Sequence, residues 1–331
     1  MTQNSKFLVI QTASAGDVVL ASPLIECIYH FFPEAKIDFL LKKGNDGLFQ
    51  NHPFLNEVIV FDKNNKILNL IKLLFKIRKR KYHVVICIQR FFSAGLLTAF
   101  SGSQKKYGFS KNPFSYFFTH SFPHQIENNN QLIHEIDRNL SLLNHICPEK
   151  RFLPKLYPNY NIEPKEYGLN TNFITISPAS LWFTKQFPAA KWVELISLIP
   201  DSFQVAMLGS ESDIDLCNQI KKEFNDSKII VLAGKLNMLE SAALMKKATI
   251  NFTNDSAPMH LASAVNAAVC AVFCSTVPDF GFVPLSEKSV VIQTQESLAC
   301  RPCGLHGHQS CPEKHFRCAE IKVVEIISKC W

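Results

Sequence analysis

The sequence predicts an α/β chain of two domains, each with a parallel sheet, facing across a cleft. Three observations carry this. Short apolar runs alternate with amphipathic segments along the chain, the pattern of repeated βαβ units. The alternation occurs as two series, divided by a stretch rich in Pro, Asn and charge at 157–168. A length of 331 residues also exceeds what one core usually organises.

In the first series, apolar runs place strands at 7–11, 36–41, 57–61, 84–88 and 106–109. Helical periodicity places helices near 18–32, 67–80, 94–100 and 132–146. The second series repeats the scheme. Its strands fall at 173–177, 204–208, 228–232, 248–252 and 268–273, and its helices near 189–199, 214–224, 239–246 and 258–265. Asn237 followed by Glu240 signals a capped helix start. Residues 275–318 read as loop, rich in cysteine and histidine, and 321–328 as a closing helix. No sequence repeat is evident, although the two halves share an architecture. The expected division is therefore 1–156, a linker at 157–168, 169–318, and a terminal segment at 319–331 that packs back on the first half.

Composition is that of an ordinary soluble protein, 47% hydrophobic and 19% charged. No apolar run reaches the roughly 18 residues that a membrane span requires. The start, Met-Thr-Gln-Asn-Ser-Lys, runs directly into strand without a signal peptide's apolar core. A cytoplasmic setting with eleven mostly reduced cysteines is expected. The net charge of +7 is uneven: residues 1–150 hold 18 Lys and Arg against 11 Asp and Glu, whereas 151–331 hold 17 of each. The densest run is Lys72, Lys76, Arg78, Lys79, Arg80 and Lys81, interleaved with Leu73, Leu74, Phe75 and Ile77. It reads either as the solvated side of an amphipathic helix or as a face for anionic lipid or a phosphorylated acceptor. Nucleic acid is not expected, since no nucleic-acid motif accompanies the charge.

Four segments carry chemistry. Residues 254–264, Asn-Asp-Ser-Ala-Pro-Met-His-Leu-Ala-Ser-Ala, open a helix at the end of a strand. Asp255 and Ser256 supply acceptors, Pro258 suits the first turn, and His260 lies one turn in, which makes an anion site. Ser14-Ala-Gly16-Asp17 follows the first strand. There Asp17 either caps a helix or serves as a general base facing the cleft. Residues 177–188 place Thr184 and Lys185 ahead of a helix, suited to a diphosphate or equally to a solvated surface loop. Cys300 and Cys303, then Cys311 and Cys318, have zinc-like first spacing, although the second pair is irregular and packed thiols are the alternative. The G-x-G-x-x-G fingerprint of dinucleotide binding is missing from the sequence.

Together these segments, in this order, resemble glycosyltransferase family 9, the ADP-heptose:lipopolysaccharide heptosyltransferases, over nearly the whole chain. The resemblance implies the GT-B fold of two Rossmann-like domains, an N-terminal one that receives a lipid A-linked inner-core saccharide and a C-terminal one that holds the nucleotide sugar. It implies inverting, metal-independent transfer of heptose with no required cofactor, at the inner face of the cytoplasmic membrane. Asp17 would be the general base, with Ser14 and Gly16 beside it on the acceptor side. Thr184 and Lys185 would meet the diphosphate or heptose, and Asp255 the heptose hydroxyls. Ser256, Ala257 and His260 would line the diphosphate site. Residues 236–238, including Met238, would lie near adenine, and Glu211 or Asp213 near the ribose. Ala257 stands where the family often has Gly, Ala15 where Ile is usual, and 280–284 suggest a cleft lining of their own, so a donor other than ADP-heptose is the alternative. A non-catalytic, membrane-associated binding protein stabilised by zinc at Cys300, Cys303, Cys311 and Cys318 is the reading from a different class.

Overall fold

A computed structural model of the chain describes residues 5–128, 131–225 and 227–330. Residues 1–4, the start of the expected lead-in to the first strand, lie outside these, as does Trp331 in the terminal segment. The chain divides into two compact units at Tyr157 and Pro158.

Unit 1 runs β1 (Lys6–Gln11), α1 (Ala15–Val19), α2 (Ser22–Phe31), β2 (Lys36–Lys42), β3 (Leu55–Phe61), α3 (Lys66–Arg80), β4 (Val84–Cys87), α4 (Phe92–Ala99), β5 (Lys105–Phe109), β6 (His120–Phe122), a two-stranded ribbon of β7 (Glu127–Asn128) and β8 (Gln131–Leu132), and α5 (Glu135–Ser141). Its six parallel strands are ordered β3-β2-β1-β4-β5-β6. The expected helix over 18–32 is two helices. Pro23 lacks the N–H that a continuous helix would aim at the Val19 carbonyl. The Ser22 hydroxyl donates to that carbonyl instead, at 2.7 Å. The expected helix over 132–146 shortens to α5, since Gln131 and Leu132 pair in the ribbon. The core joins Leu8, Ile10, Leu40, Ile59 and Val85 of the sheet to Leu70, Leu73 and Ile77 of α3 and Leu97 of α4.

Unit 2 runs β9 (Phe173–Ser177), α6 (Ala189–Ser197), β10 (Gln204–Met207), α7 (Ile214–Lys221), β11 (Ile229–Val231), α8 (Met238–Lys247), β12 (Asn251–Asn254), α9 (Ala257–Ala264), β13 (Val269–Phe273), β14 (Ser289–Gln293) and α10 (Val323–Cys330). Its sheet is also six parallel strands, ordered β11-β10-β9-β12-β13-β14. The strand expected at 248–252 lies later, because α8 extends to Lys247. Asn251 and Asn254 are polar yet fully buried. Asn251 accepts from Thr175 Oγ1 at 2.6 Å and donates to the Ala268 carbonyl at 2.8 Å, so neither group is left unmade. β14 lies within the stretch expected to be loop. α10 contributes Val323 and Ile326 to the unit 2 core beside Trp192 and Leu195 of α6.

In both sheets the order reverses direction beside the first strand, between β1 and β4 and between β9 and β12. Loops leaving the carboxyl ends of strands at such a reversal are where open α/β sheets bind ligands.

Candidate functional site

In unit 1 the reversal point carries the loop from β1 into α1. Ser14 is the N-cap of α1, and Asp17 is its third helical residue. Asp17 Oδ2 accepts from the Ser14 amide at 3.2 Å and the Ser14 hydroxyl at 2.6 Å. The capping alternative is therefore realised in the geometry, and the carboxylate is oriented by it. Neighbouring loops tie this segment down. Thr12 Oγ1 donates to Gln89 Oε1, beyond β4, at 2.6 Å. Asn45 Nδ2 donates to the Ala13 carbonyl at 3.0 Å, and Lys63 Nζ to the Thr12 carbonyl at 3.0 Å. Burial, with Lys42 and Lys66 nearby, holds Lys63 below the ordinary lysine value. Gly16 is buried against this scaffold. Gln89, Asn45 and Lys63 escape sequence reasoning because they belong to no motif. Only their places just past strands point to them.

In unit 2 the reversal point brings together the segments at 177–188 and 254–264. Lys185 closes a short 3₁₀ turn (Phe183–Lys185). Its Nζ lies 2.6 Å from Asp255 Oδ2, and Thr276 Oγ1 donates to the same oxygen at 2.6 Å. Both charged side chains are largely buried. Asn254 fixes the approach of the Lys185 loop: its Oδ1 accepts from the Phe187 amide at 2.9 Å and its Nδ2 donates to the Pro178 carbonyl at 2.8 Å. Ser256 is the N-cap of α9, and Pro258 falls in the first turn as expected. Ala257 is the first residue of α9 and half-buried, while His260 is buried one turn in.

Thr184 is 1% exposed. Its hydroxyl accepts from the His308 amide at 2.8 Å and from Ser275 Oγ at 3.0 Å. The sequence reading offers it to the ligand, whereas the structure uses it to anchor the cysteine-rich segment beside Lys185. Arg301 reinforces that anchor. Its Nε donates to the Cys274 carbonyl at 2.7 Å and its second guanidinium nitrogen to the Thr276 carbonyl at 2.7 Å. The Cys303 amide donates to the Ser275 carbonyl at 2.9 Å. Gly307 completes the fit. At φ +77°, a Cβ there would stand 2.8 Å from Thr184 Oγ1 and 3.1 Å from Lys185 Cγ. Thr276, Ser275, Arg301 and Gly307 thus shape the site, and the sequence reading does not pick them out.

The loops after β10 and β11 adjoin. Gly234, at φ +74°, has its backbone so near the Glu211 turn that a Cβ would lie 3.2 Å from Glu211 Cα. Glu211 is exposed at the start of that turn. Asp213 is engaged in capping it, accepting from the Ser210 amide at 2.7 Å. Met238 is the first residue of α8, just past Leu236 and the Asn237 cap, and half-buried.

The four tail thiols share one loop region. Burial pushes Cys318 up to about 11, with Cys303 and Cys311 adding to the rise. Cys300 Sγ lies 3.8 Å from His315 Nε2. The Cys303 thiol, however, donates to the Cys300 carbonyl, and Cys311 Sγ accepts from the Phe316 amide. Among the described residues, no three His, Cys, Asp or Glu side chains group as a metal ion requires. The zinc alternative thus finds no ligand cage among the described residues.

The sequence profile of glycosyltransferase family 9 (heptosyltransferase) matches residues 70–312. Lipopolysaccharide heptosyltransferase 2 of Escherichia coli K12 is 25% identical over 313 residues, covering 87% of this chain and 88% of its own. A glycosyl transferase family 9 structure from Veillonella parvula superposes with a TM-score of 0.85 at 19% identity, over 99% of this chain and 97% of its own. The E. coli heptosyltransferase WaaC, solved with ADP-2-deoxy-2-fluoro heptose, gives a TM-score of 0.71 at 17% identity, over 87% of this chain and 93% of its own.

Proposed function

This chain belongs to glycosyltransferase family 9 and has its two-sheet GT-B fold, and from that premise we propose that it transfers heptose from ADP-heptose to the inner core of lipopolysaccharide with inversion. The observation that carries the reading is the buried Lys185–Asp255–Thr276 cluster where the strand order of unit 2 reverses, beside the start of α9. Donor binding exchanges partners within it. The diphosphate takes Lys185 and the first amides of α9, at Ser256 and Ala257, and the heptose hydroxyls take Asp255. Met238 and Glu211 border the adenosine end. His260, one turn into α9, lines the diphosphate site with Ser256 and Ala257.

Unit 1 supplies the acceptor side. The Asp17 carboxylate removes the proton of the acceptor hydroxyl, whose oxygen attacks the anomeric carbon opposite the diphosphate. The carbon–oxygen bond to the diphosphate breaks, and ADP leaves with the electron pair. Lys185 and the α9 amides stabilise the charge that develops on it. No metal takes part in any of these steps. The family resemblance and the basic first half support a lipid-linked, phosphorylated acceptor at the inner face of the cytoplasmic membrane. Among the described residues no helix is long and apolar enough to cross a membrane, so contact with it is peripheral in this reading.

A donor panel with mass detection of the product tests the assignment. ADP-heptose should yield a product heavier by one heptose, and UDP- and GDP-sugars should not. Transfer from a UDP- or GDP-sugar in preference to ADP-heptose would replace the donor.

A further inference from the structure

We propose that α3 is a membrane-docking helix, whose outward ridge sits at the headgroup boundary of an anionic bilayer. The choice of a bilayer as occupant rests on the lipid-linked acceptor proposed above; the surface itself rests on the following observations.

α3 has two apolar stripes. Leu70, Leu73, Leu74 and Ile77 face the core of unit 1, at the spacing of one helix face. Ile67, Leu68, Ile71 and Phe75 form a second stripe on the other side, each between 49% and 77% exposed. A helix that packs on a sheet needs only the first stripe. A contiguous second one marks an interaction surface.

The ridge is framed by cations. From residue 63 to 81 the sequence holds eight Lys and Arg and not one Asp or Glu. Arg80 and Lys76 are committed to ion pairs, Arg80 with Asp38 and Glu57 and Lys76 with Glu57 at 3.0 Å. Lys66, Lys72, Arg78 and Lys79 are exposed on the helix around the apolar ridge. Phe75 and Arg78 are three apart and so adjacent on the helix surface. Arg78 donates to the Phe100 carbonyl at 2.9 Å, which joins the ridge to an aromatic ledge. There Phe100 packs on Phe117 with centroids 5.8 Å apart, and Tyr116 beside it is 93% exposed.

Apolar side chains ringed by lysine and arginine, with aromatics at the margin, match a bilayer interface: tails take the ridge, and anionic headgroups take the cations. A second copy of the chain would set like charges against each other. Nucleic acid would leave the apolar centre without a partner.

Co-sedimentation with phosphatidylethanolamine vesicles, with and without phosphatidylglycerol, tests the proposal. The protein should bind the phosphatidylglycerol vesicles, and salt should weaken the binding. Lys72→Gln with Lys79→Gln should lower it about 30-fold. Ile71→Ser with Phe75→Ser should lower it about tenfold or more. Thermal melts should match the parent, because all four side chains are exposed. Absence of vesicle binding, binding by both variants equal to the parent's, or a change of oligomeric state in the ridge variant would overturn the inference. Turnover of ADP-heptose, measured on the same preparations, separates the two claims. Retained turnover without vesicle binding removes only the docking surface, and vesicle binding without turnover removes only the transferase reading.

Discussion

Lys185 and Asp255 pair in a largely buried setting, with Asp255 just before the N-cap of α9, so each side chain has a structural duty beside the donor-binding one proposed for it. Removing one partner leaves the other charge buried and uncompensated. Lys185→Ala should therefore destabilise unit 2 by about 3 kcal/mol in urea melts and weaken ADP binding. An unchanged melt together with unchanged ADP affinity would detach Lys185 from both duties. Gly307→Ala probes the anchor beside it. The substitution adds a Cβ at a left-handed φ and against Thr184, so it should destabilise by at least about 1 kcal/mol and reduce turnover through displaced Lys185. Asp255 and Ser256 are legible in the sequence because they directly follow a strand, and Asp17 and Lys185 because they lie in the segments that lead from the first strand of each series into its helix. Thr184 is legible as a position but not as an anchor, since the group it meets is 124 residues away in the chain. Thr276 and Arg301 act through the same long-range folding of the cysteine-rich segment, which local pattern does not encode.

Helix breaks and ends show where local signals yield to tertiary bonds. Ser22 both donates to the Val19 carbonyl and accepts from the Lys155 amide at 2.9 Å. Ser22→Ala strands two backbone groups and should lower stability by about 1–3 kcal/mol, read by chemical denaturation. α5 adds a pH dependence. Burial raises the Glu135 pKa, but hydrogen bonds and charge from His124 and Arg138 outweigh it and hold Glu135 below its ordinary 4.5. The native state therefore binds that proton less readily than the unfolded chain. Its contribution is present above pH 4.5 and is lost as pH falls through the depressed native value. Glu135→Gln should start less stable at neutral pH and lose less on acidification; parallel acid melts of parent and variant would contradict this. Buried strands are legible because both faces are apolar, as in Phe7–Ile10. β6 and β14 are edge strands with half-exposed residues: β6, His-Ser-Phe, has no such run, and β14 has only the three residues Val290–Ile292 between polar ends.

At the scale of the whole chain, two units with separate cores should respond separately to ligand. A donor nucleotide held by unit 2 should raise only the calorimetric transition of that unit, by about 2.7 kcal/mol at a hundred times the dissociation constant. An equal shift of both transitions would argue against a donor site confined to unit 2. The doubled architecture is legible from the repeated alternation of strand and helix, while the strand order that creates each reversal point emerges only in the sheets. The central claim, base-assisted heptosyl transfer, is tested most directly at Asp17, where cap and base can be separated. Asn retains an oxygen that can accept from Ser14, as Asp17 does now, but it cannot take a proton. Turnover of ADP-heptose by Asp17→Asn, followed by product mass, should fall by about 10²–10⁴ while the melting temperature stays close to the parent's. Parental turnover in that variant would contradict the account.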